Sequence, residues 1–306
     1  MNAISPPGVT PGAGAGPLPA TAAAPSGLPS SLSDAALARE SEVAQRGIRN
    51  YRRTIIALRI VVLIIILGGW ELSARMKWVD PFFYSMPSMI YDQIVEWVRD
   101  GTSQGPLWLQ VAVTLEETII GFLIGGIGGV ICGILLGRNK LLSDVFSLYI
   151  QIANSIPRVV LGSVFVIALG LGMASKVALA VVMVFFVVFG NAFQGVREAD
   201  KYMIANAQIL GASPRQVTMA VVIPSAMSWI LASLHVSFGF ALVGAVVGEF
   251  LGAKEGIGLL ISTAQGAFNA SGVFAAMIVL AVVALIADFL LTSLEKRLLK
   301  WRPAAF

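Results

Sequence analysis

Long runs without a single charge constrain this chain more than anything else in it. No Asp, Glu, Lys or Arg occurs from Thr118 to Gly137, from Val177 to Val196, from Gln216 to Gly248 or from Gly256 to Ala287. Each run reaches the roughly 20 residues that a helix needs to cross about 30 Å of hydrocarbon. Backbone polar groups in lipid must be bonded internally, and these runs lack the period-2 alternation of barrel strands, so they are helices. The composition agrees: 12% of residues are charged and 57% hydrophobic, where a soluble domain carries about 25% charge. The expected fold is an all-α polytopic membrane protein of about six transmembrane helices. Spans are expected near 55–76, 111–137, 143–171, 175–196, 226–250 and 272–294.

A formal charge of +4 and a pI near 9.4 would suit a nucleic-acid binder, but the placement of the charge excludes that reading. With the N-terminus in the cytoplasm, the inner segments hold Arg39, Arg46, Arg49, Arg52, Arg53, Arg59, Arg138, Lys140, Arg197, Lys201, Arg215, Lys296, Arg297, Lys300 and Arg302. The outer segments hold only Arg75, Lys77, Arg99, Lys176 and Lys254. This is the positive-inside bias of a multi-pass protein with both termini cytoplasmic. Cys132, the only cysteine, lies in an apolar run. It permits no intrachain disulfide and is read as a packing residue.

Residues 1–33 are rich in Pro, Ala, Gly and Ser and cannot bury enough apolar area to offset their ordering entropy. They lack the basic start and continuous apolar core of a signal peptide. With the short charged helix that follows, residues 1–53 are expected to form a cytoplasmic tail. Residues 54–109 then hold the first span and an outer segment whose Trp78, Phe82, Phe83, Tyr84, Trp97 and Trp108 fit an interfacial belt. Pro87-Ser88 followed by Tyr91, Ile94, Val95 and Val98 suggests an amphipathic helix there. In the second span Gly121, Gly125, Gly129, Gly133 and Gly137 recur every fourth residue. Such a stripe lets a neighbouring backbone approach closely in lipid; a wall of a permeation groove is the other use. The third span is interrupted at Ile156-Pro157-Arg158. Proline removes a backbone donor and kinks a helix, and an arginine at membrane depth must face protein or water. Arg158 is therefore either a substrate or gate residue or part of a structural break.

Between the fourth and fifth spans, residues 197–224 are polar and helix-prone. Lys201 to Leu210 suits a short helix, with Gly211 as its C-terminal residue. Ser213-Pro214 starts a second helix as cap and first-turn proline. Two short helices around a turn make a knob that fits a groove on a partner, with Ala207, Leu210 and Ala212 as anchors and Arg215 on the rim. The segment, with Ala205-Asn206-Ala207, Gly211 and Val221-Val222-Ile223-Pro224, resembles the EAA loop of ATP-binding-cassette (ABC) importer permeases.

The resemblance covers about residues 110–302. Thr114-Leu115 with Gly121-Phe122, Ile156-Pro157-Arg158-Val159, Gly170-Leu171-Gly172 with Ser175-Lys176-Val177, and Gly248-Glu249-Phe250-Leu251-Gly252-Ala253 with Gly256-Ile257-Gly258 are similar to the sulfonate, taurine and nitrate branch. The tail from Glu295 to Arg302, with Trp301, is similar too. The resemblance implies a type I ABC importer transmembrane domain over 110–294, a coupling loop at 197–224 and a basic cytoplasmic tail over 295–306. It also implies a bacterial inner-membrane location. As partners it implies two cytoplasmic ATP-binding subunits, a periplasmic or lipoprotein binding protein and a second permease copy. No cofactor is expected on this chain; ATP and Mg are used by the partner ATPase, since the sequence holds no G-x-x-x-x-G-K-[S/T] loop. Ala205, Ala207, Leu210, Gly211, Ala212, Arg215 and Pro224 are the implied coupling residues. The chain departs from the family pattern at Ala205 and Asn206, which stand for its Glu and first Ala. It departs again at Ser163 and Ala168-Leu169, which stand for a proline and a Trp-Phe pair, and at His235, which stands for a frequent Arg.

Polar residues within the spans give the candidate substrate pathway: Arg158, Asn191, Gln194, Ser233, His235, Ser237 and Glu249. His235 is the only histidine and has no metal-ligand company, so no metal site is expected. The expected function is an importer permease for a small organic or inorganic anion, with a neutral or aromatic nutrient as the second reading. An ion-gradient-driven transporter would require inverted repeats, and a membrane enzyme would require clustered His, Asp or Glu; the sequence offers neither.

Overall fold

A computed structural model describes the backbone of residues 30–298 and the side chains of 50–293. Of the tail expected over residues 1–53, residues 1–29 lie outside what it describes, as do the side chains of the basic residues before Asn50 and the closing segment with Lys300, Trp301 and Arg302. The chain divides into two compact units, residues 1–65 and 66–306. The first consists, in its described part, of the N-terminal stretch of α1 (Ser30–Arg75). The second begins within that helix and holds everything else.

The elements of the second unit follow in order: α2 (Pro81–Tyr84), α3 (Pro87–Arg99), α4 (Leu107–Arg138), α5 (Lys140–Ser155), a 3-10 turn (Arg158–Val160) and α6 (Leu161–Leu169). Then come α7 (Met173–Arg197), α8 (Lys201–Ile209), α9 (Pro214–Val217), a π-turn (Thr218–Val222), α10 (Ile223–Leu251), α11 (Ile257–Gly266) and α12 (Ala270–Leu298). Among the described residues, five helical stretches are long and apolar enough to cross a membrane: Asn50–Arg75, Leu107–Arg138, Met173–Arg197, Pro214–Leu251 and Ala270–Ser293. The pair Lys140–Ser155 and Arg158–Leu169 makes a sixth, bent by 73°. The expected third span is thus two helices at an angle. Pro157 has no N–H to continue α5 and Ile156 is extended, the conformation favoured before a proline.

α7 is the centre of the bundle, with glycines facing it from both sides. A methyl carbon on Gly125 would lie 2.7 Å from Val181 O, and one on Gly129 2.9 Å from Phe185 O and from Val188 Cβ. On Gly133 it would lie 2.6 Å from Ala192 Cβ. The four-residue stripe of α4 is therefore a packing seam against α7 rather than a pathway wall. From the other side Gly244 on α10 meets Ala180 Cα, where a methyl would lie 2.7 Å away. Without a hydrophobic driving force between helices in lipid, this backbone-to-backbone approach supplies the dispersion contact that holds them. Between α4 and α10, Phe122 and Phe238 meet edge to face at 5.6 Å.

The amphipathic helix expected after Pro87 is α3, but its buried face differs from the expected one. Ile90 and Trp97 are buried against Ile257, Leu260, Ala275 and Ala276, with Ile94 beside them, while Tyr91 and Val98 are exposed. Glu71 of α1 accepts from Ser88 N at 3.0 Å and from Ser88 Oγ at 2.9 Å, capping the start of α3 with a carboxylate where the helix dipole favours one.

Candidate functional site

α10 runs for 29 residues, about 43 Å at 1.5 Å per residue, and carries a distinct site at each end. At its start the coupling segment folds as a knob. α8 ends in a paired backbone motif: Gly211 N donates to Gln208 O at 2.9 Å and Ala212 N to Ala207 O at 3.0 Å. This Schellman geometry needs a left-handed residue, and Gly211 has φ +84°. Ser213 then caps α9: Gln216 N donates to Ser213 Oγ, and Gln216 Oε1 accepts from Ser213 N at 2.7 Å. Pro214 occupies the first turn, where no donor is missed. Pro224, an exposed residue, crowds the carbonyl four positions back. The turn before it opens to π geometry, with Ile223 N donating to Thr218 O.

The knob has two faces, and only one is free to meet another chain. Ala207 and Ala212 pack with Ile204 onto the bundle's own core of Ala192, Val196, Val217 and Ala226. They are anchors of the knob to the bundle, not of a partner to the knob. Outward stand Tyr202, Met203, Ile209 and Leu210, exposed by 83%, 58%, 82% and 86%. Steps of seven, with Asn206 between, put these four on one helical face. Ala205 and Arg215 are exposed as well. Of the expected anchors, Leu210 alone points outward, and Tyr202, Met203 and Ile209 were overlooked. Their 202, 203, 206, 209, 210 spacing was the available signal.

At the far end of α10 the structure gathers residues that the sequence scatters. The N–H of the N-cap and the first two N–H groups of α11 each find a side chain. Gly256 N donates to Gln110 Oε1 at 2.7 Å, Ile257 N to Thr114 Oγ1 at 2.9 Å, and Gly258 N to Glu249 Oε2 at 2.7 Å. Thr114 in turn donates to Glu249 Oε1 at 2.7 Å. These are the orphan donors of a helix N-terminus, satisfied here by a carboxylate and two neutral acceptors. Gly256 has φ +115°, and a Cβ on it would overlap the Glu249 carboxylate; a Cβ on Gly258 would overlap Val246 O. The residues Thr114, Glu249, Gly256 and Gly258 are thus one clamp joining α4, α10 and α11.

Lys176, expected among the outer basic residues, is buried beside this clamp. Its Nζ donates to Leu171 O at 2.6 Å and Gly172 O at 3.1 Å, and Ser175 Oγ closes the same turn on Gly170 O at 2.8 Å. Glu117 is buried too, and its Oε2 has no partner among the described residues.

The other pathway candidates do not converge. Asn191 Nδ2 donates to Val187 O, Gln194 Nε2 to Glu198 Oε1, Ser233 Oγ to Ile230 O and Ser237 Oγ to Ser233 O, so each is bonded within its own part of the chain. His235 Nε2 lies 3.5 Å from Asp288 Oδ1 and links α10 to α12. Arg158, half-buried, donates to Asn154 Oδ1 at 2.6 Å and rests over the Phe186 ring at 5.1 Å. The guanidinium stands in the bend of the broken span, over an aromatic face that attracts a cation.

The described residues thus form a bundle of membrane-spanning helices with an exposed knob at one end. The chain belongs to the family of binding-protein-dependent transport system inner membrane components, whose model matches residues 125–300. It is 31% identical over 238 residues to a Bacillus subtilis protein named for aliphatic sulfonates transport, covering 78% of this chain and 85% of that one. It is 29% identical over 254 residues to the formylaminopyrimidine transport permease protein of Halalkalibacterium halodurans, covering 83% of this chain and 98% of that one. Among solved structures, a chain of the inward-facing MetNI methionine ABC transporter superposes with a TM-score of 0.54 at 20% identity, over 63% of this chain and 96% of that one. The protein is a multi-pass permease subunit of an ABC importer, a transport subunit rather than an enzyme. It works with an ATPase carried on a separate chain and with a binding protein.

Proposed function

We propose that two copies of this chain form the import pathway for a small organic or inorganic anion of the sulfonate, taurine or nitrate class. Arg158 carries this reading: it is a half-buried cation pre-oriented by Asn154 and Phe186 at the one sharp bend in the spans. The sulfonate relative supports it. Arg158→Ala should cut uptake of an anionic substrate at least about tenfold, the scale of one lost charge-assisted hydrogen bond. Uptake of a neutral compound should stay within about twofold. Radiolabelled uptake in vesicles checks this, and equal losses would make Arg158 a purely structural residue. A neutral heterocyclic nutrient is the second reading, favoured by the formylaminopyrimidine relative.

In this reading both termini are cytoplasmic and two ATPases grip the two knobs, ATP and Mg being bound there and not on this chain. ATP-driven closure of the ATPases draws the knobs together and turns the pathway outward, a rigid-body switch between two states. The apolar face of Tyr202, Met203, Ile209 and Leu210 supports the docking role. Leu210→Asp should abolish co-purification of the ATPase and transport while membrane insertion and unfolding temperature stay at wild-type values. Gly211→Asp should likewise abolish co-purification and transport, with a slightly lowered unfolding temperature, because a side chain there strains a left-handed position. Normal uptake by both variants would remove the docking role.

A further inference from the structure

At the knob end of the bundle a cavity of about 490 Å³ opens between the α4–α5 junction, the last turn of α7 and the coupling segment. Its wall carries four cations, Arg138, Lys140, Arg197 and Lys201, against one acid, Asp144. Among the described residues none of the four is in an ion pair; Arg197 only rests over the Phe193 ring at 5.5 Å. Like charges around one concavity raise a positive potential that favours an entering anion. Ser143 lines the same cavity. It is 3% exposed, and its Oγ is buried with no partner among the described residues. A buried hydroxyl is normally satisfied, so this one points to a missing acceptor. The cavity also meets the first turn of α5, a 16-residue helix beginning at Lys140 and capped by Asn139 Oδ1, which accepts from Leu142 N at 3.3 Å; the positive end of the helix dipole favours negative charge there.

We propose that this cavity is a binding site for a phosphate-type oxyanion. The four cations surround the anion, and the Ser143 hydroxyl donates its free proton to one of its oxygens. The group has two possible sources, the headgroup of an anionic phospholipid or soluble phosphate. A cavity at the ends of the spans lies at headgroup depth, where basic pockets between helices hold such lipids. Once bound, the anion ties Lys201 of the knob to Arg197 of α7 and to the α4–α5 junction. That fixes the angle at which the knob leaves the bundle.

The test uses the full chain, purified in a neutral detergent, with unfolding followed by tryptophan fluorescence. Phosphatidylglycerol is compared with phosphatidylcholine in mixed micelles, and inorganic phosphate with chloride at equal ionic strength. A rise of roughly 5 °C in unfolding temperature with phosphatidylglycerol alone identifies a lipid headgroup; the same rise with phosphate alone identifies a free anion. In Lys140→Gln/Arg197→Gln the rise should fall to under about a third of the wild-type value. Arg99→Gln/Lys254→Gln, at the other end of the spans, should keep it. Ser143→Ala should unfold at the wild-type temperature without ligand yet need several-fold more ligand for the same rise. No rise with either anion, or an undiminished rise in Lys140→Gln/Arg197→Gln, would overturn the proposal.

Discussion

Replacing Glu249 by alanine should lower the unfolding temperature of the solubilised protein by roughly 10 °C. The carboxylate is fully buried and accepts from Thr114 Oγ1 and Gly258 N. Its removal leaves Gly258 N, a buried donor, without its acceptor, at a cost of about 1–3 kcal/mol, and turns the Thr114 hydroxyl onto Gln110 O, 3.1 Å away. It also empties the space of a buried side chain, and the cavity left behind adds a cost of the same order. Together these reach roughly 3–5 kcal/mol. Glu249→Gln should cost less, since its amide oxygen still accepts one bond while its NH2 opposes the remaining donor. Thermal unfolding of the two variants beside Thr114→Val checks the order. If Glu249→Ala unfolded at the wild-type temperature yet lost transport, Glu249 would be a pathway residue and not the cap of α11.

Gly129→Val and Gly133→Val should each prevent accumulation of a folded bundle, because the atoms they meet belong to the α7 backbone. A Cβ at either position would lie 2.9 Å from a carbonyl oxygen of α7, Phe185 O or Phe189 O, and a helix backbone cannot step aside as a flexible side chain can. Overpacking alone costs about 1–3 kcal/mol per site, and separating α4 from α7 along a seam adds the lost dispersion contact. Gly190→Ala is the matched control. It lies on α7 with nothing within 4 Å of the added methyl, and alanine is about 1 kcal/mol better than glycine in a helix. Size-exclusion profiles and unfolding temperatures after detergent extraction check the contrast. A well-folded Gly129→Val protein that fails only in uptake would restore the stripe to the pathway.

Charge-free length, proline and glycine made the secondary structure legible. The spans follow from where charge is missing, the bend from Pro157, and the knob from Gly211, Ser213 and Pro214, each acting through its own backbone. The site was legible only where it is local. The Schellman turn and the capping box lie within a few residues of their partners, so their chemistry is written in sequence order. Glu249 could be recognised as an unusual carboxylate near a span end, but its partners Thr114 and Gly258 lie 135 residues before it and nine after it. Nothing in the intervening sequence marks that meeting.

What the sequence determined by itself was therefore the class of environment and the local geometry. Lipid admits only helices with satisfied backbones, and left-handed φ values favour glycine. Tertiary structure decided which face of each helix is in contact. It turned the glycine stripe toward α7, turned Ala207 and Ala212 inward and Leu210 outward, and drew Lys176 and Glu249 into the interior. The physical reason is that in lipid both faces of a helix are apolar. Hydrophobic patterning, which tells inside from outside in water, therefore falls silent, and only steric fit and the pairing of buried polar groups assign the faces.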